Sequence, residues 1–230
     1  MVLCPGCGWI AGCSDVRTRV RADHGYAPVH GVTGGSAPVD SDGLDRPAQR
    51  ARRERILDAA VALGSEGGYD AVQMRAVAER SGVALGTLYR YFPSKVQLLV
   101  SAMAREIDGI RLPSAERMAG LTPADRILAV LSRATKVFQR DPNLAGALVR
   151  AVMFADASAT AEVDQVTQRM NSIIIRMMRG EDGDPSPRDI AVAGLIAKVW
   201  FVSEIQWLSG RTKARQVLDD LELVVRELVH

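Results

Sequence analysis

At Thr122-Pro123, Asp141-Pro142 and Ser186-Pro187, in the second half of the chain, a short polar side chain stands directly before a proline where an apolar helical period begins. Such a pair starts a helix. The side-chain oxygen satisfies an orphan backbone N–H, and proline's fixed φ suits the first helical position, where no N–H is needed. Combined with the spacing of apolar residues, these starts predict helices near 123–140, 142–155, 158–179, 187–209 and 213–229, with a polar loop over 180–185. No strand period and no internal repeat competes, so an all-α fold is expected.

The first half reads as a smaller helical unit. After Pro47, Ile56, Ala59, Ala60 and Leu63 recur at helical spacing over 48–63, and Gly67-Gly68 closes that helix. A second helix, Met74 to Ser81, turns Val77 and its alanine neighbours inward, and Gly82 offers the left-handed conformation that lets the chain turn sharply into a third. In that third helix Leu88 and Phe92 lie four apart and pack inward together. The opposite face is left with Thr87, Tyr89, Arg90 and Tyr91, hydroxyl, aromatic and guanidinium groups suited to phosphates and base edges. The same aromatics would also suit the core of an ordinary helical hairpin. Pro93 ends the helix, Ser94 and Gln97 form a capping box for a longer one over 95–110, and Lys95 sits at its N-terminus, where a phosphate is favoured. Leu98, Leu99, Ala102, Met103 and Ile107 give this longer helix an apolar stripe that connects the two halves.

Net charge is only +2, but its distribution is uneven: eleven basic against seven acidic residues over 46–111, and fifteen against fifteen beyond. The excess lies where nucleic acid would be read. Arg50, Arg52, Arg53 and Arg55 crowd the start of the first helix, where cations oppose the macrodipole; phosphate contact would explain them, and so would a solvated charged face. Residues 1–46, rich in Gly, Pro, Ser and Asp, are expected to be disordered. They carry Cys4, Cys7 and Cys13, whose spacing raises a zinc site, but no second Cys-x-x-Cys accompanies them and no metal site is assigned. No bilayer-spanning run and no secretory signal is expected, which places the protein in the cytoplasm without a membrane partner.

In the second half Leu128, Leu131, Phe138, Met153, Phe154, Ile174, Met177, Trp200 and Trp207 supply bulky apolar side chains fit to enclose a hydrophobic ligand, or simply to fill a core. The last two helices are apolar enough to complete one subunit's core or to join two subunits, which periodicity does not separate, and Ile196, Val217, Leu221, Val224 and Leu228 are the candidate dimer contacts.

The motifs Gly68-Tyr69, Arg75-Ala76-Val77-Ala78, Gly82-Val83 and Gly86-Thr87-Leu88-Tyr89-Arg90-Tyr91-Phe92-Pro93-Ser94-Lys95 resemble the N-terminal domain of the TetR family of bacterial repressors. Gln73 and Ala84 depart from the hydroxyl N-caps usual there, so both helix starts are expected to be less firmly capped. The resemblance implies a helix-turn-helix DNA-binding domain over 47–94 and a ligand-binding and dimerisation domain over 95–230. It further implies a homodimer joined by its last two helices on double-stranded palindromic operator DNA. The implied DNA contacts are Arg53, Gln73, Arg75, Gly86, Thr87, Tyr89, Arg90, Tyr91 and Lys95. A narrower resemblance, strongest over Phe154-Ala155-Asp156-Ala157-Ser158 and Glu162-Val163-Asp164-Gln165-Val166, is to the actinobacterial repressors of sterol catabolism. It implies an apolar inducer, a steroid or a steroid-acid coenzyme A thioester, and no cofactor. Regulation of drug efflux or fatty acid metabolism by another hydrophobic ligand is the competing reading within the family. An enzyme or a zinc-dependent module is the remote one: His24, His30 and His230 form no compact motif, and no phosphate-binding glycine loop or paired nucleophile is present.

Overall fold

The computed structural model describes residues 47–180 and 184–229. The readings of disorder and of zinc at 1–46 lie outside them. Among the described residues the chain is helical without strands: α1 (Pro47–Ala71), α2 (Met74–Ser81), α3 (Leu85–Tyr91), α4 (Lys95–Asp108), α5 (Ala115–Met118), α6 (Pro123–Arg140), α7 (Pro142–Met153), a 3-10 turn (Ala157–Ala159), α8 (Thr160–Arg179), α9 (Pro187–Leu208) and α10 (Ala214–Leu228). Gly67 and Gly68 break α1, the latter at φ 67, where an ordinary side chain is strained. The four-residue α5 was not expected, because so short a stretch shows no period.

All three proline-flanked starts form as their chemistry demands. Thr122 accepts from the backbone N–H of Asp125, Asp141 from that of Leu144 and Ser186 from that of Asp189, which returns a bond to the Ser186 N–H. The capping box expected at Ser94 forms by half. Ser94 accepts from the Gln97 backbone at 3.1 Å, but the Gln97 carboxamide donates instead to the Ser158 carbonyl at 2.8 Å. This ties the first turn of α4 to a segment sixty-one residues on. Neither Gln73 nor Ala84 caps its helix with a side chain, as their chemistry foretold.

Helix α4 is the centre of the packing. Leu98, Leu99, Val100, Ala102, Met103, Ala104 and Ile107 are all buried, and the helix contacts α1, α7 and α8. A helix buried on several sides moves as a rod or not at all. Helix α1 also lies along α7, so the N-terminal helices are fastened to the rest at more than one place. Arg105 of α4 reaches across to α1, donating to Asp58 at 2.7 Å and Glu54 at 3.3 Å.

Two expectations need correction. Helix α9 is long and apolar enough to cross a membrane by length and composition, contrary to the reading that no such run exists. It is packed against α8 and α10, and it carries Lys198 and Glu204. Its inward face explains the second correction. Ile196 is fully buried, as is Val217 on α10, and Leu221 is 1% exposed, so these three side chains face their own subunit's core and not its surface. Val224 and Leu228 are half-buried and also pack on that core. The apolar side chains that α9 and α10 present outward are Ile190, Leu195, Val202 and Leu223.

The core contains one acid that sequence reasoning passed over. Glu204 is 1% exposed, beside the Thr135 hydroxyl and the Trp200 indole, and its carboxylate oxygens make no well-formed hydrogen bond. Trp200 instead donates to Thr135 Oγ1 at 2.9 Å. Burial pushes the Glu204 carboxyl up from 4.5 to about 7. A folded pKa above the unfolded one means that the folded chain holds the proton more tightly, so stability falls as pH rises from 4.5 towards 7 and is level above that. Substituting Glu204→Gln is therefore expected to stabilise the protein by on the order of 2 kcal/mol at pH 8 and hardly at all at pH 4.5. Urea unfolding at fixed protein concentration measures both; an equal effect at the two pH values refutes it.

Candidate nucleic-acid interface and effector cavity

The short helix α3 is held by two anchors on one face: Leu88 is fully buried and Phe92 is 3% exposed. That fixes what points away. Gly86, Tyr89 and Arg90 are exposed, Tyr89 at 46%, while Thr87 and Tyr91 are half-buried at the edges of the same face. The aromatics therefore divide, Phe92 inward and Tyr89 outward, and the hairpin-core alternative fails for Tyr89. Gly82, at φ 68 and ψ 31, donates its N–H to the carbonyls of Ala78 and Glu79, closing α2 and setting the turn into α3. Gln73 and Arg75, at the start of α2, are exposed as well.

The two flanking cations, Arg53 and Lys95, both lie over aromatic rings. Arg53 stacks its guanidinium 5.3 Å over the Phe92 ring, and it lies 3.8 Å from Glu54. Lys95 is half-buried with Nζ 3.8 Å over the Tyr69 ring, and burial lowers its pKa. Tyr69 also receives Arg150 of α7 at 4.5 Å, and Arg150 lies 5.6 Å over Phe154. The N-terminus of α4 is thus stacked against α1 and α7 by aromatic and cationic groups that the sequence placed in separate roles.

A cavity of about 370 Å³ lies between α4, α7, α8 and α9. Met103, Ile107, Val152, Val163, Val166, Met170, Ala197, Trp200 and Phe201 give it an apolar wall, with Thr167, Asn171 and Lys198 as polar points. Asn171 Oδ1 is buried without a hydrogen-bond partner. Gly194 opens on the cavity, and a Cβ there would meet nothing within 4 Å.

Of the nine residues expected to line a ligand site, this wall contains Trp200. Leu131, Ile174 and Met177 are 1% exposed and close-packed in the core, and Leu128 is half-buried against it. Phe138 lies edge-on to Trp200 at 5.5 Å and borders a different recess, with Leu144 and Leu148 of α7. Met153 and Phe154 are more than 60% exposed, and Trp207 is half-buried off the cavity wall. The residues that line this cavity carry the same signal, apolar at helical period, as residues that face a neighbouring side chain. Val163, Val166 and Met170 of α8 form a stripe that could have been found by asking which face of α8 lacks a partner of its own size.

The regions with known counterparts follow this division of the chain. Residues 56–102 match the family model described as bacterial regulatory proteins, tetR family, and residues 120–228 match the tetracyclin repressor-like C-terminal domain. The HTH-type transcriptional repressor KstR of Rhodococcus jostii (strain RHA1) is 50% identical over 194 residues, which cover 84% of this chain and 90% of that protein. KstR of Mycolicibacterium smegmatis is 47% identical over 194 residues, 84% of this chain and 94% of the relative. A crystal structure of a TetR transcriptional regulator from Rhodococcus sp. RHA1 superposes with a TM-score of 0.70 at 33% identity, covering 80% of this chain and 97% of that one. With its N-terminal helices, its α3 surface and its C-terminal helical domain all accounted for, the chain belongs to the tetR family of bacterial regulatory proteins.

Proposed function

We propose that this protein is a cytoplasmic, ligand-responsive transcriptional repressor of sterol catabolism genes. It binds a palindromic operator as a homodimer and is released by an apolar inducer, a steroid or a steroid-acid coenzyme A thioester. The observation that carries the reading is the two-sidedness of α3, in a chain half identical to named repressors: Leu88 and Phe92 anchor it while Gly86, Tyr89 and Arg90 face outward. Residues 47–94 act as the reading head and 95–230 as the ligand-binding and dimerising part. Two heads related by a two-fold axis meet successive major grooves of one duplex.

Helix α4 supplies the link between ligand and operator. Its first turn follows the Phe92-Pro93 end of α3, and Met103 and Ile107 stand on the cavity wall about 12 and about 18 Å further along the helix. A ligand that needs a wider cavity pushes on α4, and the Arg105 bonds to Asp58 and Glu54 carry α1 with it. The operator prefers one separation of the heads and the ligand prefers another, so each weakens the other's binding by the same factor. The outward Leu195, Val202 and Leu223 on α9 and α10 are the apolar groups available to join two subunits.

Three outcomes are expected. Replacing exposed Tyr89 or Arg90 by Ala costs roughly 1 to 3 kcal/mol of operator binding while leaving the melting temperature unchanged. Quantitative electrophoretic mobility shifts and thermal unfolding of the same samples test it, and full operator affinity in both variants removes α3 from the DNA. Gly194→Phe fills the cavity without a clash at its Cβ, so it should retain operator binding but lose release by a steroidal thioester. Release at the wild-type concentration would place the inducer elsewhere. Val202→Glu, at a position 51% exposed, is expected to shift the dimer towards monomer in sedimentation equilibrium; an unchanged dimer refutes that face.

A further inference from the structure

Gln97 does not do what its place in the sequence calls for. It stands three residues after the Ser94 cap of α4, where a carboxamide ordinarily turns back to the cap's own N–H and completes the box. Here it forms a bridge instead. Its Oε1 accepts from the Ser94 hydroxyl at 3.3 Å, and its Nε2 donates to the Ser158 carbonyl at 2.8 Å. One end of the bridge is the residue that follows Phe92-Pro93 at the close of α3, and the other is the 3-10 turn that leads into α8. The stability of α4 alone does not ask for the second bond.

The turn that receives it is braced. Asp156 Oδ1 accepts from the Ser158 N–H at 2.9 Å and from the Ser158 hydroxyl at 2.7 Å, the Ala159 N–H donates to the Asp156 carbonyl at 3.0 Å, and Ala159 is fully buried. Helix α8 starts directly after it, at Thr160, and brings Val163, Val166 and Met170 to the cavity wall. Val163 lies about 5 Å along α8 from that start, whereas Met103 and Ile107 lie about 12 and about 18 Å along α4 from Lys95. Of these two routes from the cavity to the end of α3, the one through α8 and Gln97 is the shorter.

The far end of α4 is pinned to the same helix. Arg169 of α8 donates through Nε to the Asp108 carboxylate at 2.9 and 3.0 Å. Asp108 and Arg169 are sixty-one residues apart in sequence, and so are Gln97 and Ser158. An equal offset at both ends means that α4 and α8 run parallel and in register, and packed helices held at both ends shift together.

We propose that Gln97 is the positioning residue that makes α4 and α8 one lever. A ligand that displaces the face of Val163, Val166 and Met170 carries the junction of α3 and α4 with it, through the bonds from Ser158 to Gln97 and from Gln97 to Ser94. The identity of that ligand rests on the proposed function. The link between α8 and the reading head does not.

Two substitutions separate this role from a merely structural one. Gln97→Glu keeps the acceptor and suits the positive end of α4, but a carboxylate cannot donate to the Ser158 carbonyl. Gln97→Lys restores a donor while placing a cation where the macrodipole disfavours it. Fluorescence anisotropy on DNA selected from a random pool by the wild-type protein, with and without a steroidal thioester, gives the factor by which ligand weakens DNA binding. Because that factor is a ratio, the charge each substitution brings near the DNA cancels from it. It is expected to fall roughly fivefold or more in Gln97→Glu, whose melting temperature is unchanged or raised, and to stay near the wild-type value in Gln97→Lys, whose melting temperature is lowered. A factor that follows the melting temperature, or is equal in all three proteins, overturns the proposal. Amide hydrogen exchange reads the link without any ligand: DNA is expected to raise protection over the first two turns of α8 in the wild type and in Gln97→Lys, but not in Gln97→Glu. Equal DNA-induced protection in all three proteins, or none in the wild type, overturns it as well. Exchange that behaves as expected while the thioester releases none of the proteins sinks the inducer reading and leaves the lever standing.

Discussion

The burial of α4 is the constraint on which the rest of this structure depends. Its apolar side chains point to α1, to α7 and to α8 at once, which leaves the helix no soft side on which to bend. Two of them, Met103 and Ile107, are also cavity wall. A change of cavity shape cannot be absorbed locally by such a helix, because its neighbours are packed at near-crystalline density and yield by repacking between discrete arrangements. The bonds from Arg105 to α1 and from Gln97 to Ser158 extend the same rigidity to both ends of the rod. The stack of Lys95 and Arg150 on Tyr69 does so at the junction with the reading head.

Much of this was legible because the responsible signals are local. A hydroxyl or carboxylate before a proline acts within one turn, and the starts at Thr122, Asp141 and Ser186 form as read. Gly82 likewise takes the positive φ that its place between two short helices required. The division of α3 into an anchored and a free face followed from the spacing of Leu88 and Phe92 alone. These are properties of a few consecutive residues, and tertiary packing had no reason to override them.

The cavity and the outward faces were not legible, for a reason equally physical. Period identifies which residues share a helix face but not what stands opposite that face. Leu131, Ile174 and Met177 meet other side chains, whereas Val163, Val166 and Met170 meet a void, and the two groups are indistinguishable by composition. Helix α9 is the harder case, because it is apolar around most of its circumference. Ile196 points to the core and its neighbour Leu195, at 49% exposed, points out, so the apolar pattern offers two faces and no means of ranking them. Glu204 was passed over because an acid one turn from the end of a helix ordinarily reaches solvent, and here Thr135, Trp200 and the facing helices close over it.

Under the proposed mechanism the size of the cavity limits what an inducer can do. Moving a two-state protein from one part in a hundred to ninety-nine requires about 5.5 kcal/mol of differential affinity. An apolar ligand that buries roughly 300 Å² gains about 7 kcal/mol at the usual coefficient, before the loss of its own freedom is counted. Almost all of that gain must then be withheld in the operator-bound form, so that form has to be nearly closed to the ligand. The wall is suited to such a change: Met103 and Met170 are unbranched and repack readily, and Trp200, which lines the cavity, is held by Thr135 at one edge. Under the proposed mechanism the two arrangements differ in how these three side chains line the space. Because Met103 lies on α4, the proposed mechanism makes the choice between them also a choice of where the reading head stands.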